Sequence, residues 1–468
     1  MGLRAAALAC SAALCALLPS GALADDEELV LMDEPTTFTD VVDAFDEHDV
    51  FDLDITIGYL RTWELGRVQR EQAGPDAGDG RMSRNWQDVA DYSRERNQLV
   101  FGLDVGIYRD IAVYARLPLI LSDDRSLARI GGEDPGALVY DRTPAGQSMM
   151  NPPLFDVPAG RGFRSPTRSG IDYLAAGIAW SILNQHRDPH VPTWVLMIEG
   201  RFNIGTPMRA CQNDDGTVRC QGGGTDPGVS RGTNALRIET RSSFRYQYIE
   251  PYAGLAFQME WPGASDRFFV PGGNLAGYIN ARPPIVGRLT VGTAIIPWED
   301  RQQWQRFSVD LRFTGDYVSE GRDYSPLFDA LGSSSNPYLT SPNCEGVFSA
   351  EDGSCAGAGL VESAFFGLTD TQSHLRIGGQ ITLEMQAARY VRFGVSTAVY
   401  HSPSYVITQA DACNPNADPP GGDERTRGTC RSGIINPHHR PAIDLPGQRF
   451  RMESLTQVDV AASVTAQF

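Results

Sequence analysis

The sequence predicts an all-β fold, a closed antiparallel transmembrane β-barrel of about twelve strands. Three observations point to it: recurring runs that alternate apolar with polar or small residues, connections that switch strictly between short and long, and a last run closing on an aromatic residue.

Alternation with period two marks a strand with two unlike faces. FDLDITIGYLRTW (51–63) sets Phe51, Leu53, Ile55, Ile57 and Tyr59 against Asp52, Asp54, Thr56 and Gly58. In NQLVFGLDVGIY (97–108), Leu99, Phe101, Leu103, Val105 and Ile107 oppose Gln98, Gly102, Asp104 and Gly106. IAVYARLPLILS (111–122) follows a short Arg109-Asp110 turn. Further candidates lie near 171–183, 193–206, 234–246, 251–262, 285–297, 303–318, 373–386, 389–404 and 452–468. A soluble sandwich also alternates, but its strands average about 5–6 residues, whereas a membrane strand needs about 9–11.

Short connections are expected near 109–110, 184–192, 247–250, 298–302 and 387–388, and long ones near 64–96, 123–170, 207–233, 263–284, 319–372 and 405–451. Brief periplasmic turns and extended extracellular loops produce that asymmetry, with both termini periplasmic in the outer membrane. Closure removes edges that hydrocarbon cannot satisfy. Ten or fourteen strands are the alternatives, because AGLVESAFFGLTD within 319–372 can pair as an extension or as an added strand.

Residues 1–24 read as a signal peptide: Arg4, a short apolar run containing Cys10 and Cys15, and a small-residue cut site ending at Ala24. Residues 25–50 form an acidic periplasmic arm with a short helix, and 51–468 the barrel. The net charge of −18 is concentrated in the arm, since residues 25–54 hold 13 Asp or Glu and no Arg. All 40 basic residues are Arg, with no patch suited to nucleic acid.

The remaining cysteines pair locally in loops as Cys211/Cys220, Cys344/Cys355 and Cys413/Cys430, predicting three disulfides. None has metal-site spacing; no metal or cofactor is expected. CQNDDGTVRC (211–220) reads as a disulfide-closed hairpin, not a calcium loop.

Charge on the lipid side costs roughly 2–4 kcal/mol per residue at mid-depth, so the charged face must be lumenal. On GTNALRIETRSSFRY (232–246), that face carries Arg237, Glu239, Arg241, Ser243 and Arg245. The same phase turns Arg116, Arg201, Arg288, Arg306, Arg312, Arg376 and Arg392 inward. With them go Asp52, Asp54, Asp104, Glu199, Glu260, Asp310, Asp316, Glu384 and Asp459. Either these groups line a solute path for small anionic or amphipathic molecules, or they cross-brace a shut lumen. Barrels of about eight strands are filled and those of about 16–18 are open, so twelve does not choose. Trp63, Trp194, Trp261, Trp298 and Trp304 near strand ends suit interfacial belts, with outer-membrane lipid as the surrounding partner.

In the arm, Phe38, Val41, Val42 and Phe45 recur at helical spacing, with Thr37 or Thr39 as cap. Asp40, Asp43, Asp46 and Glu47 could then pair with lumenal arginines as a partial plug; the alternative is a solvated tail. The loop at 132–155, with Met149, Met150, Leu154 and Phe155, is a second inward-packing candidate.

The terminal VDVAASVTAQF, ending in Phe468, resembles Gram-negative outer-membrane barrels, which implies an assembly signal read by the barrel-insertion machinery. LVFGLDVGIYRDIAVYARLPLIL (99–121) is similar to a hairpin of transporters related to the phenol-degradation meta-pathway proteins, themselves loosely similar to long-chain fatty-acid transporters. That resemblance implies uptake, with the arm in the place of an N-terminal hatch. His401-Ser402-Pro403-Ser404 is the nearest approach to the outer-membrane phospholipase, but Pro403 stands where a base would share the nucleophile's face. Neither His374 nor His438-His439 has the partners of a catalytic or metal site. The sequence therefore predicts a non-enzymatic channel; the alternative is a closed structural or surface-display barrel whose loops bind envelope or external partners.

Overall fold

The computed structural model describes residues 35–44, 52–75, 82–130, 162–214, 216–263, 280, 282–300, 302–334, 339, 347–348, 355–356, 365–410, 439–444 and 449–468. Twelve long strands close into one ring. They are β1 (Leu53–Pro75), β2 (Met82–Tyr108), β3 (Ile111–Arg129), β4 (Tyr173–Leu183), β5 (Thr193–Asn203) and β6 (Thr233–Ser243), followed by β7 (Ile249–Pro262), β8 (Val286–Asp300), β9 (Gln305–Val318), β10 (His374–Ala388), β11 (Val391–Ser402) and β12 (Phe450–Gln467). Each pairs antiparallel with its sequence neighbour, from Leu53↔Val105 in the first hairpin to Val391↔Ala466 in the last pair. Closure comes from β1 on β12, paired from Asp54↔Gln467 to Arg70↔Phe450 with one bulge between Arg67 and Val68. Reciprocal backbone bonds of 2.9 Å join Leu53 and Phe468. The sheet has no free edge along its circumference, the condition hydrocarbon imposes.

The faces follow the predicted phase. Ile55, Ile57, Leu103, Ile178, Ile198, Phe257, Phe313, Ile381, Val395 and Val464 point outward and are exposed, forming an apolar belt. Trp194, Trp298 and Trp304 are exposed near the short turns and Trp261 near the long-loop end. Small apolar residues such as Ala112, Ala175 and Ala294 are buried on the inner face.

The first long connection is not a loop. β1 and β2 stay paired through most of 64–96, up to Pro75↔Met82, with one bulge between Val68 and Gln69. At about 3.3 Å per residue, a 27-residue strand spans roughly 90 Å, far more than a bilayer requires. The apolar alternation ends at the lipid boundary, and cross-strand charges such as Arg67–Asp91 (3.0 Å) and Arg61–Glu95 (2.6 Å) carry the ladder onward. The apolar pattern therefore hid the strand extension. β3 likewise runs to Arg129. At the described end of the segment 358–370, the strand Thr369–Thr371 is an extension: it pairs with Gly321–Asp323 and with Tyr405–Thr408 above the ring.

The projecting strands enclose the one large apolar core among the described residues, at the long-loop end. Val68, Tyr92, Leu127, Phe450 and Met452 of the wall pack on Leu327, Leu331, Phe365 and Ile443 of the loops. The short helix α1 (Phe328–Gly332) is buried over its whole length there.

Of the three predicted disulfides, the described residues contain one. Cys211 and Cys220 are bonded across a small hairpin, directly opposite each other in register. Gly216 (φ 88°) makes its turn, in the left-handed region glycine tolerates. The Cys344/Cys355 and Cys413/Cys430 pairs involve residues outside those described, so the expectation for them stands as made. Cys355 sits in a two-residue strand, Cys355–Ala356, with Phe348 as its backbone partner. Cys344, Cys413 and Cys430 lie outside the described residues, as do the signal peptide and the loop at 132–155.

Candidate functional site

The lumen holds three tiers of charge with a cavity between the upper two. At mid-height Asp316 of β9 is fully buried and takes Arg288 of β8 bidentately at 2.7 and 3.0 Å. Arg376 of β10 bonds the same carboxylate at 2.9 and 2.5 Å. The pairing Arg288↔Asp316↔Arg376 across three strands aligns them, because residues in register share a face. Elsewhere on the wall Arg116 pairs with Asp104 at 2.7 Å and Arg201 with Glu199 at 2.8 Å.

The upper tier is a buried chain. Arg94 bridges Glu64 and Asp123, Arg125 continues from Asp123 at 3.2 Å, and Arg168 grips Asp329 of α1 at 2.6 Å. These bonds fasten the loop segment around α1 to the wall, and the apolar core beside them excludes water. Below this cap lies a cavity of about 320 Å³ lined by Arg231, Asp323, His374, Arg376, Tyr400 and Tyr405 among others. His374 stacks on Tyr405 at 4.3 Å.

The lower tier contains the arm. Residues 35–44 run inside the barrel at its turn end. They make a single turn, with the Asp40 N–H donating to the Thr36 carbonyl at 3.1 Å, where the sequence predicts a short helix. Bonds to the wall replace helical ones. Fully buried Glu250 accepts the Thr36 N–H at 3.0 Å, Thr37 donates to Glu384, and Thr39 shares a 2.7 Å bond with Ser243. Asp40 meets Arg392 at 3.0 Å, and Ala44 bridges Arg109. Phe38 stacks on Tyr252 at 4.2 Å beneath Arg241 and Arg312, each guanidinium 5.0 Å from the ring.

The predicted residues divide accordingly. Arg241, Glu384, Arg392 and, through Tyr252, Asp310 and Arg312 surround the arm; Tyr252 donates to Asp310 at 2.6 Å. Arg237 and Arg241 share Glu239, at 2.6 and 2.8 Å. Arg245 does not extend that ladder: β6 ends at Ser243, and Arg245 pairs with Glu299 at the turns, 2.6 Å away. Of the arm residues, Phe38, Asp40, Val41 and Asp43 lie in the lumen segment, whereas Phe45, Asp46 and Glu47 lie outside the described residues. Sequence reasoning missed Tyr252, Glu250 and the glycines that make room for the arm. A Cβ at Gly106 would lie 1.7 Å from the Asp43 carbonyl oxygen, and one at Gly254 2.9 Å from the Phe38 ring. Glycines at inward positions were the available signal. His401 is exposed and Ser402 buried, so the two face opposite sides of β11.

A closed ring of antiparallel strands with an apolar exterior and a charged interior defines a bacterial outer-membrane β-barrel. No protein-family model matches the sequence, and no curated protein matches it. Among solved structures, the chain is similar to a FadL homologue of Pseudomonas aeruginosa, at 9% identity over 89% of this chain and 90% of that one, TM-score 0.32. It is also similar to an outer-membrane channel of Pseudomonas putida F1, at 8% identity over 87% and 95%, TM-score 0.33. A third is the outer-membrane protease OmpT of Escherichia coli, at 8% identity over 89% and 96%, TM-score 0.27. The barrel assignment rests on the strand pairings and the exposed belt.

Proposed function

We propose that the protein is an outer-membrane channel for small amphipathic or anionic solutes, obstructed at rest by the arm in its lumen and narrowed, not shut, by the loop cap above. Its short turns face the periplasm and its long loops the exterior. The observation that carries this reading is the arm itself. A purely structural barrel needs no separate chain segment in its lumen, whereas a gated path needs a removable one. The arm's contacts are side-chain bonds to the wall, joined by one bridge at Ala44, so it can leave without breaking the barrel ladder.

Deleting residues 25–48 and measuring refolded protein in planar bilayers tests the reading. Single-channel conductance is expected to rise above the wild-type level. Unchanged conductance from verified folded protein would remove the plug from the account.

The second reading, a surface-display or structural barrel, draws on the cap. The chain Glu64–Arg94–Asp123–Arg125 and the apolar core around α1 form a buried cluster at the long-loop end. Silence of both the intact and the arm-deleted protein in bilayers would favour it. Phe468, exposed and bonded to Leu53, is the residue through which we expect the assembly machinery to recognise the last strand.

A further inference from the structure

Phe38 enters its socket as a recognisable chemical fragment. Its ring, Cβ, Cα and carbonyl form a 3-phenylpropanoyl unit, and the wall contacts both ends of it. Tyr252 stacks on the ring at 4.2 Å, while Arg241 and Arg312 lie 5.0 Å from its centre. Nη1 of Arg241 donates to the carbonyl oxygen at 2.9 Å. Aromatic faces attract guanidinium groups, so the socket favours an aromatic ring over a saturated one of equal size. The carbonyl is neutral, and a carboxylate in its place would put charge on both partners, turning a bond with one charged group into an ion pair. Arg241 can serve an anion because it and Arg237 share the single carboxylate of Glu239.

We propose that the lumen carries a binding site for 3-arylpropanoates, small aromatic carboxylates, which Phe38 of the arm occupies as a built-in competitor. The inference rests on the channel reading for its consequence, since a solute that takes the socket displaces the arm. A tethered competitor acts at an effective concentration of order millimolar, so the free acid competes only where it is abundant or its carboxylate adds affinity.

Calorimetry on the refolded full-length chain, titrated with 3-phenylpropanoate, tests the site. Phe38→Ala empties the socket and is expected to tighten binding about tenfold or more, because the competent fraction rises. Adding Arg241→Met to that variant is expected to weaken binding about 10- to 100-fold, the loss of a hydrogen bond to a charged group. 3-Cyclohexylpropanoate should bind more weakly than the aromatic acid. If heat-modifiable migration shows that Arg241→Met fails to fold, Arg241→Lys replaces it, with loss of affinity expected because the planar group is gone. No gain from Phe38→Ala, equal binding of the saturated acid, or indifference to the Arg241 substitution would each overturn the proposal. Conductance is read separately. Binding without conductance would leave the site standing and remove uptake; conductance of the arm-deleted protein without binding would do the reverse.

Discussion

Phe38 shows how much a single lumenal side chain can decide. It is almost fully buried, and burial of an aromatic side chain contributes about 1.5–3 kcal/mol, to which each favourable guanidinium contact adds about 0.5–2 kcal/mol. Its place exists because position 254 lacks a side chain. Gly254→Leu would fill the space now held by the ring, which lies 2.9 Å from a Cβ built there. The substitution is expected to expel the arm while leaving β7 paired, since leucine adopts the strand conformation without strain. A protease that cuts beside Asp, added to the detergent-solubilised protein, would then cut at Asp40 or Asp43 at least several-fold faster than in wild type. An unchanged cleavage rate would show that the arm is held by its polar bonds alone. The residue types at this site were legible, as were the inward phases of Arg241, Arg312 and Arg392. What brought them to Phe38 was not, because the partners lie about 200 to 350 positions away in sequence.

Among the elements, the loop-end cap has its own electrostatics. Asp444, in the short helix α2 (Pro441–Asp444), is fully enclosed by the cap. Its carboxylate accepts backbone N–H groups of Arg440, Gln409 and Ala410 at 2.7, 2.5 and 3.2 Å, with His439 Nδ1 at 3.4 Å. Burial pushes its carboxyl up to about 7 against the pull of those donors, and burial pushes Asp370 up to about 8 although Arg322 stands opposite it in register. Both values exceed the ordinary value of about 4, so between that pH and the raised values the closed cap holds protons that an opened cap releases. The contribution is complete below about pH 4 and is lost as pH rises through 7 and 8. Hydrogen exchange at the Gln409 and Ala410 amides, corrected for intrinsic rates, should show less protection at pH 9 than at pH 6. Equal protection would mean that neither carboxyl retains its proton in the closed cap. The cap was poorly legible in advance. Its strands are two to four residues long and its core joins residues from 68 to 452, so neither period nor spacing marks it.

At the scale of the whole molecule, one sheet carries two solvents. Outside, an unbroken apolar belt meets lipid; inside, charges meet one another. Ile381 sits midway along β10 and is 54% exposed on the belt. Ile381→Arg is expected to destabilise the folded barrel by about 2–4 kcal/mol, the cost of a charge at mid-membrane, measured by denaturant unfolding from lipid vesicles. A change near zero would place that position outside the hydrocarbon. The sign is opposite to intuition from soluble proteins, where an exposed isoleucine tolerates arginine.

The sequence by itself determined the ring: where its membrane-crossing strands lie, which face of each meets lipid, a count of about twelve, and where the cysteine-bearing loops fall. These follow from a two-residue period and a count of connections, which are local quantities. Only the tertiary structure decided what fills the ring. The arm's place beside Tyr252, the Arg288–Asp316–Arg376 bridge and the buried cap depend on strand stagger, which brings distant residues to one height. Pairwise alternation along a chain says which side a residue faces, but height across a closed sheet is set by all twelve registers together.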